Sequence, residues 1–304
     1  MEFVGLLMRQ NFIMFLYLLI GYYLFFKKKV TVAGSADIGR VLLYIVMPAT
    51  ILKSYLIDFS YERLECLVLS FMLSVLALLL SIAVSRMVFK QNKSIECFGA
   101  AFSNAGFIGI PLVQMTLGEE AVFYVASFVA LLNIFQWTYG VWVLTEDRTV
   151  FSLKKIQTNP IVLSFLVGII LFLTPGSLPV ILGNMVEVLA SMNGPLAMIV
   201  LGTYLAQVEI KILFTEKKIY HCTILRLIAI PALTIVLMSL FPAKYHILKL
   251  AILIAASAPV GSNVAIFAQL YNQDYKQAVK EICMSTVCCI VTLPIVVGVA
   301  NMFL

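Results

Sequence analysis

The sequence predicts an all-α polytopic membrane protein: ten transmembrane helices arranged as two inverted five-helix repeats with crossing broken helices. Three observations carry this. Of 304 residues, 62% are hydrophobic and 12% charged, with a mean hydropathy of +1.04, against a soluble norm of about half apolar and a quarter charged. The apolar residues fall into runs of membrane-spanning length joined by short basic connections. Two of these runs, Ser94 to Gly118 and Lys249 to Tyr271, are interrupted near their middles by proline and glycine.

A hydrocarbon core about 30 Å thick takes about 20 apolar residues per straight helix. By that measure the spans run over 5–26, 37–56, 64–88, 95–117, 119–144, 157–174, 181–205, 219–240, 248–270 and 281–303. The first is retained rather than removed as a signal peptide, because Glu2 precedes it, Arg9 and Asn11 interrupt it and Lys27 to Lys29 follow it. The short sixth span has Pro160 near its start, where the missing amide hydrogen of proline is harmless.

Loop charge sets the expected orientation. Sixteen Lys and Arg residues, among them Lys27, Lys28, Lys29, Lys155, Lys217 and Arg226, fall on one side and five (Arg9, Lys53, Arg63, Lys244, Lys249) on the other. The positive-inside rule then predicts a multi-pass protein of the cell membrane with both termini outside. The formal charge of +6 is spent in these connections rather than on one basic face, so nucleic acid is not an expected partner. Six cysteines lie mostly within or at the ends of apolar spans, without C-x-x-C or metal-ligand spacing. No metal, cofactor or disulfide is expected.

The halves echo each other. Gly21 and Gly168, and Pro48 and Pro195, share an offset of 147 residues, and Pro111 and Pro259 one of 148. That spacing predicts a duplication with one repeat over 1–147 and a second over 148–304. Five spans per unit inverts the second copy, the plan of many secondary transporters.

The interrupted spans are the expected site. Proline lacks an amide hydrogen and clashes with the carbonyl four residues back, and each interior glycine costs a helix about 1 kcal/mol. Broken backbone in hydrocarbon survives where it is buried in protein or lines a wet cavity. The helix ends after Pro111 and Pro259 each present unpaired amides and about half a positive charge, which suits an anion. Ser103, Asn104, Gly106, Gln114, Gly261, Ser262 and Asn263 lie alongside as expected substrate-binding residues. The competing reading is that Asn and Ser merely satisfy backbone groups freed by the prolines.

Ser103 to Leu112 (Ser-Asn-Ala-Gly-Phe-Ile-Gly-Ile-Pro-Leu) and Ala258 to Asn263 (Ala-Pro-Val-Gly-Ser-Asn) resemble the two crossover helices of the auxin efflux carrier family. Met47-Pro48-Ala49, Asn159-Pro160 and Arg226 to Pro231 are similar to its further signatures, and the resemblance runs over essentially the whole chain. It implies a fold like that of the PIN-FORMED carriers and bile-acid symporters. Spans 1, 2, 6 and 7 would form a scaffold, and spans 3–5 and 8–10 a transport domain. It also implies a small organic anion such as malate or malonate as substrate, a coupling proton or sodium ion, and a homodimer. The long cytoplasmic insertion of the plant members is replaced here by Thr145 to Thr158, so neither its regulation nor auxin itself is carried over.

Other polar residues admit two readings each. Glu187 is a carrier for a coupling proton or a water-facing scaffold residue. Asn133, Gln136 and Trp137 line the cavity, or Trp137 is an interfacial anchor. Arg226 is expected to snorkel to the cytoplasmic surface, with Glu209 or Glu216 as alternative partners. His221 and His246 fall near opposite faces. Glu119 and Glu120 suit the start of the fifth helix, and without a neighbouring histidine they do not support an enzyme. The remaining alternatives to a carrier are a membrane sensor or lipid-binding module built on the same fold, and a channel.

Overall fold

A computed structural model describes residues 2–89, 94–146, 153–174, 178–208 and 217–304. Among the described residues the chain is helical throughout, without strands. Twelve helices carry the architecture: α1 (Glu2–Phe26), α2 (Val32–Ser54), α3 (Tyr61–Val88), α4 (Ser94–Ala101), α5 (Ala105–Leu117), α6 (Glu120–Thr145), α7 (Pro160–Leu173), α8 (Val180–Leu205), α9 (Ile219–Ser239), α10 (His246–Ser257), α11 (Asn263–Leu270) and α12 (Tyr275–Phe303). Six of them, α2, α3, α6, α8, α9 and α12, are long and apolar enough to cross a membrane. The expected spans 95–117 and 248–270 are each divided, into α4 with α5 and α10 with α11.

Local chemistry explains the boundaries. Thr31, Ser60 and Asp274 each accept a hydrogen bond from an amide of the first turn that follows, starting α2, α3 and α12. Asn159 Oδ1 accepts from Ile161 N at 2.9 Å, with Pro160 in the first turn of α7. Gly118, at φ +93°, ends α5 in a conformation that disfavours a side chain.

Several prolines sit inside spans without breaking them, and three share one device. Before Pro48, Pro111 and Pro231 the helix widens into a π-turn, and Met47 N, Ile110 N and Ile230 N bond to carbonyls five residues back, on Leu42, Ala105 and Leu225. The extra residue relieves the clash between the proline ring and the carbonyl four back. Pro111 therefore lies within a helix, not at its break, which corrects the sequence expectation.

The glycines at repeat spacing make reciprocal close contacts. On α1, a Cβ at Gly21 would stand 2.0 Å from the Ile199 carbonyl oxygen of α8, and one at Gly202 of α8 would stand 1.9 Å from that of Leu18. On α7, a Cβ at Gly168 would lie 2.7 Å from the ring of Tyr55, which follows α2. Small residues at such crossings let backbones approach in a bilayer, where packing replaces the hydrophobic drive. At one end of the molecule, Lys53, Arg63, Glu119, Glu120 and Glu187 converge in ion pairs. Large apolar side chains such as Phe12, Phe71, Leu79, Ile170 and Val236 face outward, as lipid contact requires.

Gly202→Val is expected to destabilise the protein by an amount typical of overpacking, about 1–3 kcal/mol, read as a lower thermal midpoint of the detergent-solubilised protein. Gly183→Ala, where nothing lies within 4 Å, serves as the neutral control. A wild-type midpoint for Gly202→Val would contradict the α1–α8 packing.

Candidate substrate site at two broken helices

The breaks, Phe102–Asn104 and Ala258–Ser262, run antiparallel against each other. Asn104 N donates to Pro259 O at 2.7 Å and Gly261 N donates to Phe102 O at 3.0 Å, with Ser103 and Val260 forming an isolated bridge. A Cβ at Gly261 would sit 3.0 Å from the Ser103 carbonyl oxygen and 3.1 Å from that of Phe102, so glycine permits the strands to meet. Val260 N donates to Ser285 Oγ of α12 at 3.0 Å. Sequence reasoning did not single out Ser285.

Arg226 is the larger correction. Instead of snorkelling it is buried, at 1% exposure. Its Nε donates to Ala258 O at 3.2 Å, and its Nη1 to Ala100 O at 2.9 Å and Ala101 O at 3.4 Å. One guanidinium thus caps carbonyls at the ends of both α4 and α10, where helices leave acceptors unpaired and carry partial negative charge. The expected partners Glu209 and Glu216 lie outside the described residues. The only sequence signal was an Arg five residues before Pro231, within a π-turn that sequence reasoning did not foresee.

With the backbone satisfied this way, the side chains of Ser103 and Asn104 are left over. Both residues are buried, Ser103 Oγ and Asn104 Nδ2 have no hydrogen-bond partner, and neither Asn104 nor Ser262 caps its helix through its side chain. Neither Ser103 Oγ nor Asn104 Nδ2 is spent on the freed backbone. Asn263 Nδ2 donates to Gln136 Oε1 at 2.8 Å, and Gln136 Nε2 is itself unpartnered. Ser103, Asn104, Gly106, Gly261, Ser262 and Asn263 line one cavity with Asn133 of α6, Leu43 and Met47 of α2 and Ile161 of α7. Its volume of about 20 Å³ accommodates roughly one water. Trp137 packs on Phe267 with ring centroids 4.6 Å apart, and neither it nor Pro111 lines this space.

Gln114 belongs elsewhere. It lines an outer cavity of about 470 Å³ together with Lys53, Glu119, Asn184 and Glu187, and its Nε2 donates to Glu119 Oε1 at 3.1 Å. Lys53 Nζ stands 2.7 Å from Glu119 and 3.6 Å from Glu187. The mostly exposed Glu187 faces water and a cation. Hydrogen bonding from Lys53 holds the Glu119 carboxyl below its ordinary range. His246 meets Asn301 at 3.0 Å.

Buried broken helices, apolar helices of membrane-spanning length and a larger cavity at one end describe a multi-pass membrane protein. The chain matches the membrane transport protein family, that of the auxin efflux carriers, over residues 6–150 and 145–297, and it belongs to that family. It is similar to a protein of Rhizobium meliloti (strain 1021) described as "Putative malonate transporter", with 24% identity over 209 residues. That alignment takes in 66% of this chain and 65% of the relative's length.

Arg226→Met, which keeps the volume but removes every donor, is expected to destabilise the protein markedly. Hydrogen bonds to a charged group contribute about 1.5–3 kcal/mol, and three carbonyl acceptors lose theirs. Arg226→Lys should recover part of the loss, and an unchanged midpoint for Arg226→Met would refute the capping role. For Glu119 the sign follows from its lowered carboxyl. Its contribution is present above the unfolded carboxylate range of about 4.3 and is lost as pH falls through the lower folded value. The difference in thermal midpoint between wild type and Glu119→Gln, small for so exposed a pair, should therefore shrink on acidification. A difference that grows toward low pH would reverse this assignment.

Proposed function

We propose that the chain is a secondary transporter that moves a small organic anion, a carboxylate such as malonate or malate, by alternating access. The observation that carries the reading is the pair of unpartnered buried donors, Ser103 Oγ and Asn104 Nδ2, facing a cavity between two helix breaks. Buried donors without acceptors are costly, and a carboxylate offers acceptors without bringing donors of its own. The first-turn amides of α5 and α11 add the helix-end field that favours an anion. Family membership and the malonate description of the relative agree with this chemistry.

In this reading the twelve helices form ten spans in two inverted repeats. The reciprocal packing of Gly21 on α8 and Gly168 on Tyr55 supports it, since each repeat's first span would dock on the second span of the other. α1, α2, α7 and α8 act as scaffold, and α3 to α6 with α9 to α12 as the moving domain. The cavity walls Leu43, Met47 and Ile161 are scaffold residues, and the breaks are not. Movement at that boundary opens the site. Lys53 and Glu187 stay on the scaffold while Glu119 leaves with the moving domain.

Asn104→Ala is expected to weaken malonate binding about ten- to a hundredfold, the equivalent of one charge-assisted hydrogen bond. Asn263→Ala should weaken it less, because the Nδ2 of Asn263 is already engaged by Gln136. Asn104→Asp should be worse than alanine through like-charge repulsion. Thermal stabilisation by malonate and counterflow in proteoliposomes measure this. Tight binding that ignores all three substitutions would place the site elsewhere. For orientation, single cysteines near Lys28, Lys155 and Lys217 should resist an impermeant thiol reagent from outside, while ones near Glu62 and Ala243 react. External labelling at Lys155 would overturn the topology.

A further inference from the structure

The π-turn before Pro111 leaves one backbone acceptor without a backbone donor. A helical carbonyl accepts from the amide four residues on, and one in a π-turn from the amide five residues on. For Gly106 O these are Ile110 N, which bonds to Ala105 O, and Pro111 N, which carries no hydrogen. The donor comes instead from another span: Asn193 Nδ2 of α8 donates to Gly106 O at 3.4 Å. Asn193 is fully buried, and its Oδ1 has no hydrogen-bond partner. A leucine of similar size would bring no unsatisfied oxygen, so the cost of this amide is offset by what its donor face does.

The bond crosses the boundary between the two domains proposed above. Gly106 is on α5, assigned to the moving domain, and Asn193 is on α8, assigned to the scaffold. Close packing surrounds it on both sides. A Cβ at Gly106 would collide with Met47 Cε of α2, and one at Gly194 would stand 3.2 Å from the Pro111 Cβ. The π-turn is thus seated on both scaffold helices, and Gly106 also lines the cavity of Ser103 and Asn104. With that cavity closed to about 20 Å³, Gly106 O depends on Asn193. Once the π-turn leaves the scaffold, entering water supplies the donor instead.

We propose that Asn193 is a positioning residue for transport: it latches the closed state of the site by serving the carbonyl that the Pro111 π-turn frees, and it lets go when water takes its place. One donor is exchanged for another, so the latch fixes the closed geometry without making it hard to leave. Removing the amide leaves Gly106 O bare in the closed state alone, which shifts the population toward open states. The groups proposed to contact substrate, Ser103 and Asn104, keep their places, so binding to the open site survives while passage through the closed state slows.

The latch rests on the alternating-access reading above. Its test compares Asn193→Leu with the parent in detergent-solubilised protein carrying Ile161→Cys, a position that lines the closed cavity and is 1% exposed. Modification there by a water-soluble thiol reagent, read by mass spectrometry, reports opening. Asn193→Leu should speed it about five- to thirtyfold, the lower part of the range for a buried acceptor left bare, as suits a bond of this length. Ala126→Cys, buried within α6, should react no faster, which separates opening from general loosening. Asn193→Gln, which keeps the amide, should recover part of the effect. Pro111→Ala returns a backbone amide within reach of Gly106 O, so the effect of Asn193→Leu should shrink in that background. In proteoliposomes, Asn193→Leu should lower the maximal rate of malonate counterflow with little change in KM. Equal labelling with and without Asn193→Leu, an effect of full size in the Pro111→Ala background, or a raised KM at an unchanged maximal rate overturns the proposal. Should Asn193→Leu fail to fold, Asn193→Met, with a more adaptable side chain, takes its place. Labelling needs no substrate, so a failure of malonate to bind counts against the carboxylate reading alone, whereas a position 161 that is unreactive in every variant overturns the latch and alternating access together.

Discussion

In a bilayer every backbone amide and carbonyl must find its partner within the protein, and the breaks in the fourth and ninth expected spans put that demand at the centre of this molecule. The two breaks meet it largely through each other, in an antiparallel pairing that Gly261 alone is small enough to allow. Ser285 takes the amide of Val260, and Arg226 takes the carbonyls of Ala100, Ala101 and Ala258. A guanidinium suits this task because its donors spread in a planar fork and its charge favours helix C-terminal ends. A lysine would reach fewer of these acceptors.

The consequence is a division of labour between the two sides of the crossing. On the side of α9 and α12, the polar groups are structural and mostly paired. Toward α2, α6 and α7, Ser103 and Asn104 present donors that the protein does not use. Ser103 and Asn104 line the cavity whose wall is formed in part by α2 and α7. The outer cavity has opposite chemistry, with Lys53 already held by two carboxylates and most polar groups wet.

Proline signals were read correctly as markers and incorrectly as break points. Pro259 does lie in a break. Pro111 follows Ala105–Gly109, a π-turn that absorbs its steric conflict, as happens before Pro48 and Pro231. A π-turn leaves no mark in hydropathy or spacing, since it depends on where the helix can bulge against its neighbours. The grouping of Gln114 with the breaks failed for a related reason. Ten residues after Asn104, its position is set by how α5 runs past the crossing to the end of the molecule that carries Lys53 and Glu119.

Composition and span length determined by themselves that this chain is an all-helical membrane protein, because the cost of burying polar residues in hydrocarbon leaves few alternatives. The motifs around Asn104 and Asn263 pointed to the family and to the part of the chain that matters, since glycine, proline and asparagine clustered within an apolar run have few structural uses. Tertiary structure alone decided which polar groups remain unpaired. Satisfaction of a donor is a property of its neighbours in space, and the residues that settle it at the crossing, Arg226, Ser285 and Gln136, lie between 25 and 127 positions from the groups they serve.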